Sequence, residues 1–300
     1  MRSEITLDSS SESWTLGSVM AHARRRLVAA GIEAAEREAR WLMEDALGLR
    51  GPSLLLDSAR LLTGQEMTKL DASVTRRAAR EPLQYILGTQ EFCGLEFEVN
   101  PAVLIPRPET ELLAQEVVRR LPRGERATVV DVGTGSGCLA VTVARALPDA
   151  VIFATDLSGQ ALETAKRNAR RHGVEGAIRW LEGDLLAPLS GEGCEGAVSA
   201  ILANPPYIRE AEWSGLQPEV GLYEPRIALV AGVKGTEFHE RLLVEAVACL
   251  RPGGFLAMEL GQGQSADIRA KIEAMPVYGR AEILPDEAGI DRMVIVERAG

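Results

Sequence analysis

The chain has 300 residues, of which 46% are hydrophobic and 25% are charged, with a formal net charge of −10. This length is enough for two domains with a substantial core, and the composition is that of a soluble globular protein. The acidic balance argues against a protein that wraps nucleic acid, because such proteins usually carry a basic face.

Neither the 4 cysteines nor the 3 histidines show the paired spacing that metal sites use. The cysteines are Cys93, Cys138, Cys194 and Cys249, and the histidines are His22, His172 and His239. We expect reduced thiols, solvated helix histidines and no bound metal. Residues 1–14, "MRSEITLDSSSESW", lack the apolar segment of a signal peptide, and no apolar run is long enough to span a membrane. We therefore expect a frayed N-terminal tail and a cytoplasmic protein.

The first 87 residues are predicted to form a small helical bundle. Apolar residues recur at helical spacing from Leu16 to about Leu87, and glycines interrupt the pattern. The segment holds no motif of catalytic type. It is therefore either a plain packing unit or a domain that docks a partner.

A short β-hairpin is expected to bridge the bundle and the rest of the chain. The segment "EFCGLEFEV" (91–99) alternates with a period of two, and Gly94 lies near its turn. We assign residues 88–104 to this linker. The following helix (105–121) carries Pro108 at an early position and two glutamates in its first turn, where the helix dipole favours acids.

Residues 105–300 are predicted to form an α/β domain with a doubly wound, Rossmann-like sheet. Apolar strand candidates at 127–132, 151–156, 177–182 and 197–203 alternate with helical segments, and a further strand follows at 253–260. The last two strand candidates leave little room for a helix between them. We therefore expect an antiparallel edge hairpin at the C-terminal end.

A glycine-rich loop follows the first strand of this domain. The segment "VVDVGTGSGCLAV" places Gly133, Gly135 and Gly137 between a strand and a helix, where glycine lets the backbone turn sharply and approach a ligand. Asp156 ends the next strand, where a carboxylate can accept hydrogen bonds from both ribose hydroxyls. Such glycine patterns also occur in nicotinamide and flavin enzymes. The G-x-G-x-G spacing, with Asp131 two residues before it, favours S-adenosylmethionine over a dinucleotide.

Asp184 and Leu185 follow the third strand and extend the same predicted site. The Asp184 carboxylate is within reach of an adenine amino group, and Leu185 offers an apolar cover for the ring. Turn or cap formation is the alternative role for the three aspartates. The predicted cofactor-binding residues are Gly133, Thr134, Gly135, Ser136, Gly137, Asp156, Asp184, Leu185 and Asn204.

The fourth strand ends in "ILANPPYI" (201–208), an unusual exit from a sheet. Two prolines fix the backbone and remove two N–H donors, so the local carbonyls stay uncommitted. The Asn204 side-chain oxygen and the Pro205 carbonyl could accept both N–H bonds of a planar nitrogen and orient its lone pair. Pro206 would keep this arrangement rigid, and Tyr207 would pack on the planar group. We predict Asn204 and Pro205 as catalytic, and all four residues as substrate-binding. A plain strand exit is the alternative.

"NPPY" after a glycine-loop sheet resembles the methyltransferases that modify planar nitrogens. "GTQEFCGLEFEVNPAVLIPRPETELL" (88–113), "DVGTGSG" (131–137), "ILANPPYI" (201–208), "EPRIAL" (224–229) and "AGIDRMV" (288–294) resemble, in the same order, the peptide chain release factor glutamine methyltransferases. The resemblance implies S-adenosylmethionine as cofactor, S-adenosylhomocysteine as product, and methylation of the glutamine in the Gly-Gly-Gln motif of bacterial class 1 release factors. The N-terminal helical bundle also suits that family. We expect residues 1–87 to dock the release factor, because a glutamine in a loop offers little surface by itself, and we expect no direct binding of nucleic acid or membrane.

Two segments depart from that family. The stretch "VAGVKGTEF" (230–238) lacks the acid and paired glycines that often follow "EPR.AL", and Leu185 stands where some members have an aromatic residue. Two other functions compete with this one: an adenine methyltransferase of nucleic acid, and a module that binds the cofactor without catalysis. The acidic charge and the lack of an obvious basic target-recognition domain count against the first, and the intact "NPPY" counts against the second.

Overall fold

The computed structural model describes residues 14–49, 58–122, 124 and 126–300. The chain divides into two compact units between Leu87 and Gly88. The frayed tail expected at the N-terminus lies, apart from Trp14, outside the described residues.

The described part of the N-terminal unit contains helices α1 (Leu16–Ala29), α2 (Ala35–Leu47), α3 (Gly64–Ala78) and α4 (Leu83–Leu87). Thr15 and Thr63 begin α1 and α3 with capping boxes, in which the threonine hydroxyl accepts from a backbone N–H of the first turn. Buried side chains of α1 recur every three or four residues and pack in a hydrophobic core shared with α2, α3 and α4.

The second unit starts with a hairpin of β1 (Thr89–Phe92) and β2 (Leu95–Glu98). Its two turn residues, Cys93 and Gly94, both have positive φ angles, 50° and 71°, as a tight hairpin turn requires. Phe92 and Phe97 are fully buried in the core of the second unit.

A mixed seven-stranded sheet forms the centre of the second unit. The remaining elements are α5 (Pro108–Arg120), β3 (Thr128–Val132), α6 (Cys138–Ala146), β4 (Val151–Asp156), α7 (Gly159–Arg171), β5 (Ile178–Glu182), β6 (Val198–Ala203), β7 (Ile208–Arg209), α8 (Pro218–Tyr223), β8 (Val230–Gly232), α9 (Glu237–Cys249), β9 (Leu250–Glu259), α10 (Ser265–Glu273), β10 (Glu282–Pro285) and β11 (Asp291–Glu297). The order across the sheet is β10-β11-β9-β6-β3-β4-β5. The five strands from β9 to β5 are parallel, and β11 is antiparallel to both β9 and β10. The predicted doubly wound sheet with a C-terminal antiparallel hairpin is confirmed.

Helices cover both faces of the sheet. Along β3, Val129 belongs to one hydrophobic core and Val130 to the other, so the strand is buried on both sides. Side chains of α5 and α6 complete the first core, and those of α9 and α10 complete the second. The parallel strands all end at one edge of the sheet, which is where ligands of such folds bind.

One local feature was not predicted from the sequence, and one expectation was wrong. Ile208–Arg209 pairs in parallel with Val230–Gly232 as a separate small sheet, so part of the 230–238 stretch is a strand. The expectation of a solvated His239 was wrong: the side chain is 0% exposed, and its Nε2 lies 2.8 Å from the carbonyl oxygen of Glu259. His239 lies on the inner face of α9, and burial lowers the pKa of its imidazole.

The described residues contain no helix long and apolar enough to cross a membrane. The same part of the chain contains no group of three or more histidine, cysteine or acidic side chains placed to hold a metal ion.

Candidate active site

A cavity opens at the carboxyl ends of β3, β4, β5 and β6. The space between its walls is about 1050 Å³, its open mouth included. The structure brings ten of the twelve predicted site residues to its wall. They are Gly133, Thr134, Gly135, Ser136, Asp156, Asp184, Leu185, Asn204, Pro205 and Pro206. The other two, Gly137 and Tyr207, do not line it.

The glycine loop forms one side of this cavity. Gly133, Gly135 and Gly137 all have left-handed backbone conformations, with φ of 70°, 54° and 80°. A Cβ at Gly133 would point into open space and one at Gly135 would meet only the Gly133 carbonyl oxygen, at 4.0 Å, whereas a Cβ at Gly137 would come within 2.9 Å of the Ala165 side chain. The first two glycines therefore leave room for a ligand, and the third allows the loop to pack against α7.

Asp131 fixes the loop from below. Its side chain is 0% exposed, and its Oδ2 accepts hydrogen bonds from the Thr134 hydroxyl at 2.6 Å and the Ala140 backbone N–H at 3.1 Å. Burial raises the pKa of the Asp131 carboxyl to about 7. Asp131 therefore ties the loop to the start of α6 and does not reach the cavity.

Asp156 stands across the loop at the end of β4. Its Oδ2 accepts from the Gly135 N–H at 2.8 Å, and its Oδ1 accepts from the Ser158 N–H at 2.9 Å. Burial raises the pKa of this carboxyl, and the backbone N–H groups oppose that shift. Since a carboxylate oxygen can accept two hydrogen bonds, each still has capacity for one ligand hydroxyl. The side chain is thus held rigidly with two acceptors available at the cavity.

Asp184 and Leu185 close the cavity beyond β5. Asp184 is half-exposed and pairs with Arg241, whose Nη2 lies 2.8 Å from Oδ2. Leu185 has a φ of 46°, which is rare for a residue with a side chain, and it lines the cavity wall. Phe238 also lines the wall and supplies an aromatic ring that the sequence analysis missed.

Asn204 is held from one side only. Its Nδ2 donates to the Thr110 hydroxyl at 3.1 Å, and the Thr110 hydroxyl donates to Glu259 Oε2 at 2.6 Å. Within the described residues nothing donates to Asn204 Oδ1, and this oxygen is not fully buried. The neighbouring Pro205 also lines the cavity. This leaves the Asn204 oxygen available as an acceptor.

Glu259 lies at the end of β9 and is 4% exposed. Burial raises the pKa of its carboxyl to about 7, although the Thr110 hydroxyl opposes the shift. The Tyr207 hydroxyl lies 3.5 Å from Glu259 Oε1, and burial raises the pKa of that phenol as well. Tyr207 is braced further by Gln264, whose Nε2 donates to its carbonyl oxygen at 3.0 Å. Contact between Tyr207 and a substrate stays a prediction.

A third buried carboxylate, Glu224, anchors the segment that precedes α5. Glu224 accepts from the Ile105 N–H at 3.3 Å and from Arg107 Nη2 at 2.5 Å. Its side chain is 1% exposed. Pro106 and Pro225, which adjoin these residues in the chain, both line the cavity.

Sequence reasoning found the loop and the "NPPY" segment but missed Thr110, Glu224 and Glu259. The usable signal for Glu259 is a carboxylate inside the apolar strand "FLAMEL", since a buried acid requires partners. Thr110 gave no comparable signal, because a threonine in the first turn of a helix is common.

The chain is similar to known families and proteins over nearly its whole length. Residues 18–88 match the family model of the PrmC N-terminal domain, and residues 108–216 match that of the methyltransferase small domain. A "release factor glutamine methyltransferase" of Geobacter sulfurreducens is 42% identical over 94% of this chain and 96% of its own length. One of the same name from Moorella thermoacetica is 42% identical over 95% of this chain and 99% of its own.

Solved structures of methyltransferases share the fold. A methyltransferase from Pyrococcus furiosus is 21% identical with a TM-score of 0.50, covering 77% of this chain and 98% of that protein. The hMettl16 catalytic domain, solved with MAT2A 3′UTR hairpin 1, is 16% identical with a TM-score of 0.54, covering 75% of this chain and 80% of that one. At these identities the likeness establishes the fold alone.

Proposed function

The chain belongs to the release factor glutamine methyltransferase family, and we propose that it methylates the side-chain amide nitrogen of the glutamine in the Gly-Gly-Gln motif of bacterial class 1 release factors. The methyl donor is S-adenosylmethionine. The observation that carries the proposal is the one-sided restraint of Asn204, which leaves its amide oxygen available at the wall of the cavity that the glycine loop also lines.

The residues of the cavity fit this cofactor. The open space at Gly133 admits a ligand next to the backbone, and the Asp156 carboxylate offers two acceptors for a ribose diol. Leu185 and Phe238 supply apolar surface for an adenine ring. When bound, S-adenosylmethionine supplies an electrophilic methyl group on a sulfonium sulfur, and its transfer forms an N–CH₃ bond, releases one amide proton and leaves S-adenosylhomocysteine.

Asn204 and Pro205 would orient the substrate amide. An amide nitrogen is planar and its lone pair is delocalised, so it is a poor nucleophile until it is oriented and distorted. The Asn204 oxygen and the Pro205 carbonyl can accept hydrogen bonds from its two N–H groups. This favours a pyramidal nitrogen whose lone pair points at the methyl group. No general base is needed first, since the proton can leave the nitrogen after transfer. The buried His239 contacts a backbone carbonyl and takes no part.

We propose that the N-terminal unit docks the release factor. A glutamine in a loop offers little surface for selective recognition, so a second contact area is required. The match of residues 18–88 to the PrmC N-terminal domain supports this role. The net charge of −10 supports a protein partner over a nucleic acid, and free cysteines at all four positions support a cytoplasmic setting.

The test is a methyl-transfer assay with three substrates. The full chain is incubated with S-adenosylmethionine labelled on the methyl group and with a class 1 release factor, the same factor with its Gly-Gly-Gln glutamine replaced by alanine, or duplex DNA. We expect label only in the first, and fragmentation of the peptide by mass spectrometry should place the added mass on the glutamine side chain.

Each other outcome contradicts the proposal in a recognisable way. Label in the alanine variant would mean that another side chain is modified. Label in DNA would favour the adenine methyltransferase. Tight cofactor binding without transfer to any substrate would favour a binding module that lacks catalysis.

A further inference from the structure

We propose that Thr110 and Glu259 are positioning residues that set the direction of the Asn204 side-chain amide. The inference rests on the proposed function, because it gives a reason for the Asn204 oxygen to face the substrate. Neither residue lies within the glycine loop or the "NPPY" segment. They come from the first turn of α5 and the end of β9.

The argument starts from hydrogen-bond polarity. An ionised carboxylate only accepts, so the single proton of the Thr110 hydroxyl must point to Glu259 Oε2, 2.6 Å away. The lone pairs of that hydroxyl then face Asn204. Only the NH₂ end of the Asn204 amide can donate to them, which it does at 3.1 Å. The oxygen of the same amide is thereby turned away from Thr110.

Burial of Thr110 and Glu259 favours one orientation of the Asn204 amide over the flipped one. Thr110 is 2% exposed and Glu259 is 4% exposed, so water is not available to replace a lost partner. The two ends of an asparagine amide have almost the same shape, and packing alone does not distinguish them. With the amide turned the other way, an NH₂ group would face the N–H bonds of the substrate nitrogen. Neither the Asn204 NH₂ group nor the substrate N–H groups could accept a hydrogen bond, so Asn204 would no longer orient the substrate.

The charge state of Glu259 controls the direction. Of the groups that bear on its carboxyl, Thr110 donates to Oε2, Tyr207 lies near Oε1, and Glu109 and Arg292 act through their charges with opposite sign. His239 contacts only the backbone carbonyl of the same residue. A protonated Glu259 could donate to Thr110, whose own proton would then turn toward Asn204. Since burial raises the pKa of Glu259 to about 7, methyl transfer should fall as the pH drops below that value.

The first experiment compares three variants of the full chain in single-turnover methyl transfer at saturating substrates. Thr110→Val removes the hydroxyl with little change in shape, and Thr110→Ser keeps it. Thr142→Val is the matched control, because Thr142 lies in α6 and its hydroxyl makes no hydrogen bond with the described residues. We expect Thr110→Val to lower the rate by about 10- to 100-fold with unchanged cofactor affinity, as for loss of a preorganised donor in a catalytic site.

The expected pattern has two further parts. Thr110→Ser should stay within a few-fold of wild type, and Thr142→Val should equal it. Wild type should lose rate below about pH 7, and Thr110→Val should not show that step. A Thr110→Val enzyme with the wild-type rate and pH profile would overturn the inference while leaving the proposed function intact.

The second experiment does not depend on catalysis. In ¹⁵N-labelled protein, the side-chain NH₂ signals of Asn204 are assigned by their loss in Asn204→Ala. We expect these signals to shift between pH 6 and 8 in wild type, because the titration of Glu259 reaches them through Thr110. The shift should vanish in Thr110→Val and in Glu259→Gln, and persist in Thr110→Ser.

This readout separates the two proposals. If the shift follows that pattern but no release factor is methylated, the proposed function is wrong and the positioning role of Thr110 and Glu259 is supported. If Thr110→Val and Glu259→Gln leave the pH dependence of the Asn204 signals unchanged, the positioning role is wrong whatever the enzyme methylates. Should Thr110→Val fail to fold, Glu259→Gln and Thr110→Ser give the same comparison.

Discussion

Gly137 lies so close to Ala165 that a Cβ atom on the glycine would come within 2.9 Å of the alanine Cβ. Gly137 also has a φ of 80°, a conformation that residues with side chains rarely adopt. Two independent constraints therefore require glycine at the end of the loop. They connect the shape of the cofactor cavity directly to the packing of α7.

We predict that Gly137→Ala destabilises the protein by about 2–5 kcal/mol, the sum of left-handed strain and overpacking. Gly173→Ala is the matched control, because Gly173 has a φ of 71° but open space around its Cβ. It should cost only about 1–2 kcal/mol. Urea unfolding measures the free energy of unfolding of both variants. Equal decreases would contradict the packing constraint at Gly137.

Asp156→Ala should weaken binding of S-adenosylmethionine by at least about 10-fold, since charge-assisted hydrogen bonds contribute about 1.5–3 kcal/mol each. The loss has a second source, because Asp156 also holds the Gly135 and Ser158 N–H groups. Calorimetric titration measures the affinity. Asp149→Ala, at an exposed turn before β4, should bind as wild type does. Unchanged affinity in Asp156→Ala would remove this residue from the ribose site.

Asn204→Ala should lower kcat about 100-fold or more, by analogy with the loss of one oxyanion-hole donor, while cofactor affinity changes little. Asn204→Asp should be impaired too. It keeps an acceptor oxygen, but one Thr110 proton cannot serve both that carboxylate and Glu259. Single-turnover transfer to a release factor, with cofactor affinity measured alongside, separates chemistry from binding. Near wild-type turnover in Asn204→Ala would favour the alternative interpretation, in which the "NPPY" segment is a plain strand exit.

Deletion of residues 1–87 should impair selection of the substrate and spare the chemistry. The division between Leu87 and Gly88 gives the boundary for a shortened chain of residues 88–300. If it folds, we expect normal cofactor binding, a raised KM for intact release factor, and transfer to a short Gly-Gly-Gln peptide at the rate of the full chain. Equal KM values for intact release factor in both forms would exclude docking by the N-terminal unit.

Much of the fold could be predicted from the sequence. Apolar runs that alternate with helical patterns indicated the parallel strands, and the short spacing before "DRMVIVER" indicated the antiparallel edge. The pairing of Ile208–Arg209 with Val230–Gly232 could not be predicted, because strands of two and three residues carry no periodicity. The error at His239 was avoidable: His239, Leu242, Leu243 and Ala246 follow the spacing of a buried helix face.

The residues of the candidate site also fall into those that the sequence predicts and those that it does not. Glycines and acids at strand ends follow from local spacing, so the residues that line this side of the cavity could be predicted from the sequence. Thr110 meets Asn204 and Glu259 only through the tertiary fold, at separations of 94 and 149 residues. The left-handed conformation of Leu185 was equally hidden, since leucine gives no local preference for it.

Thr110 and Glu259 lie 149 residues apart, with the glycine loop, Asp156 and Asn204 between them. A ribosome adds roughly 5–20 residues per second, so Asn204, which precedes Glu259 by 55 residues, emerges about 3–11 seconds before it. Until then the growing chain has Thr110 and Asn204 but lacks the carboxylate to which the Thr110 hydroxyl donates. The hydrogen bonds that join Asn204, Thr110 and Glu259 can therefore be completed only near the end of synthesis.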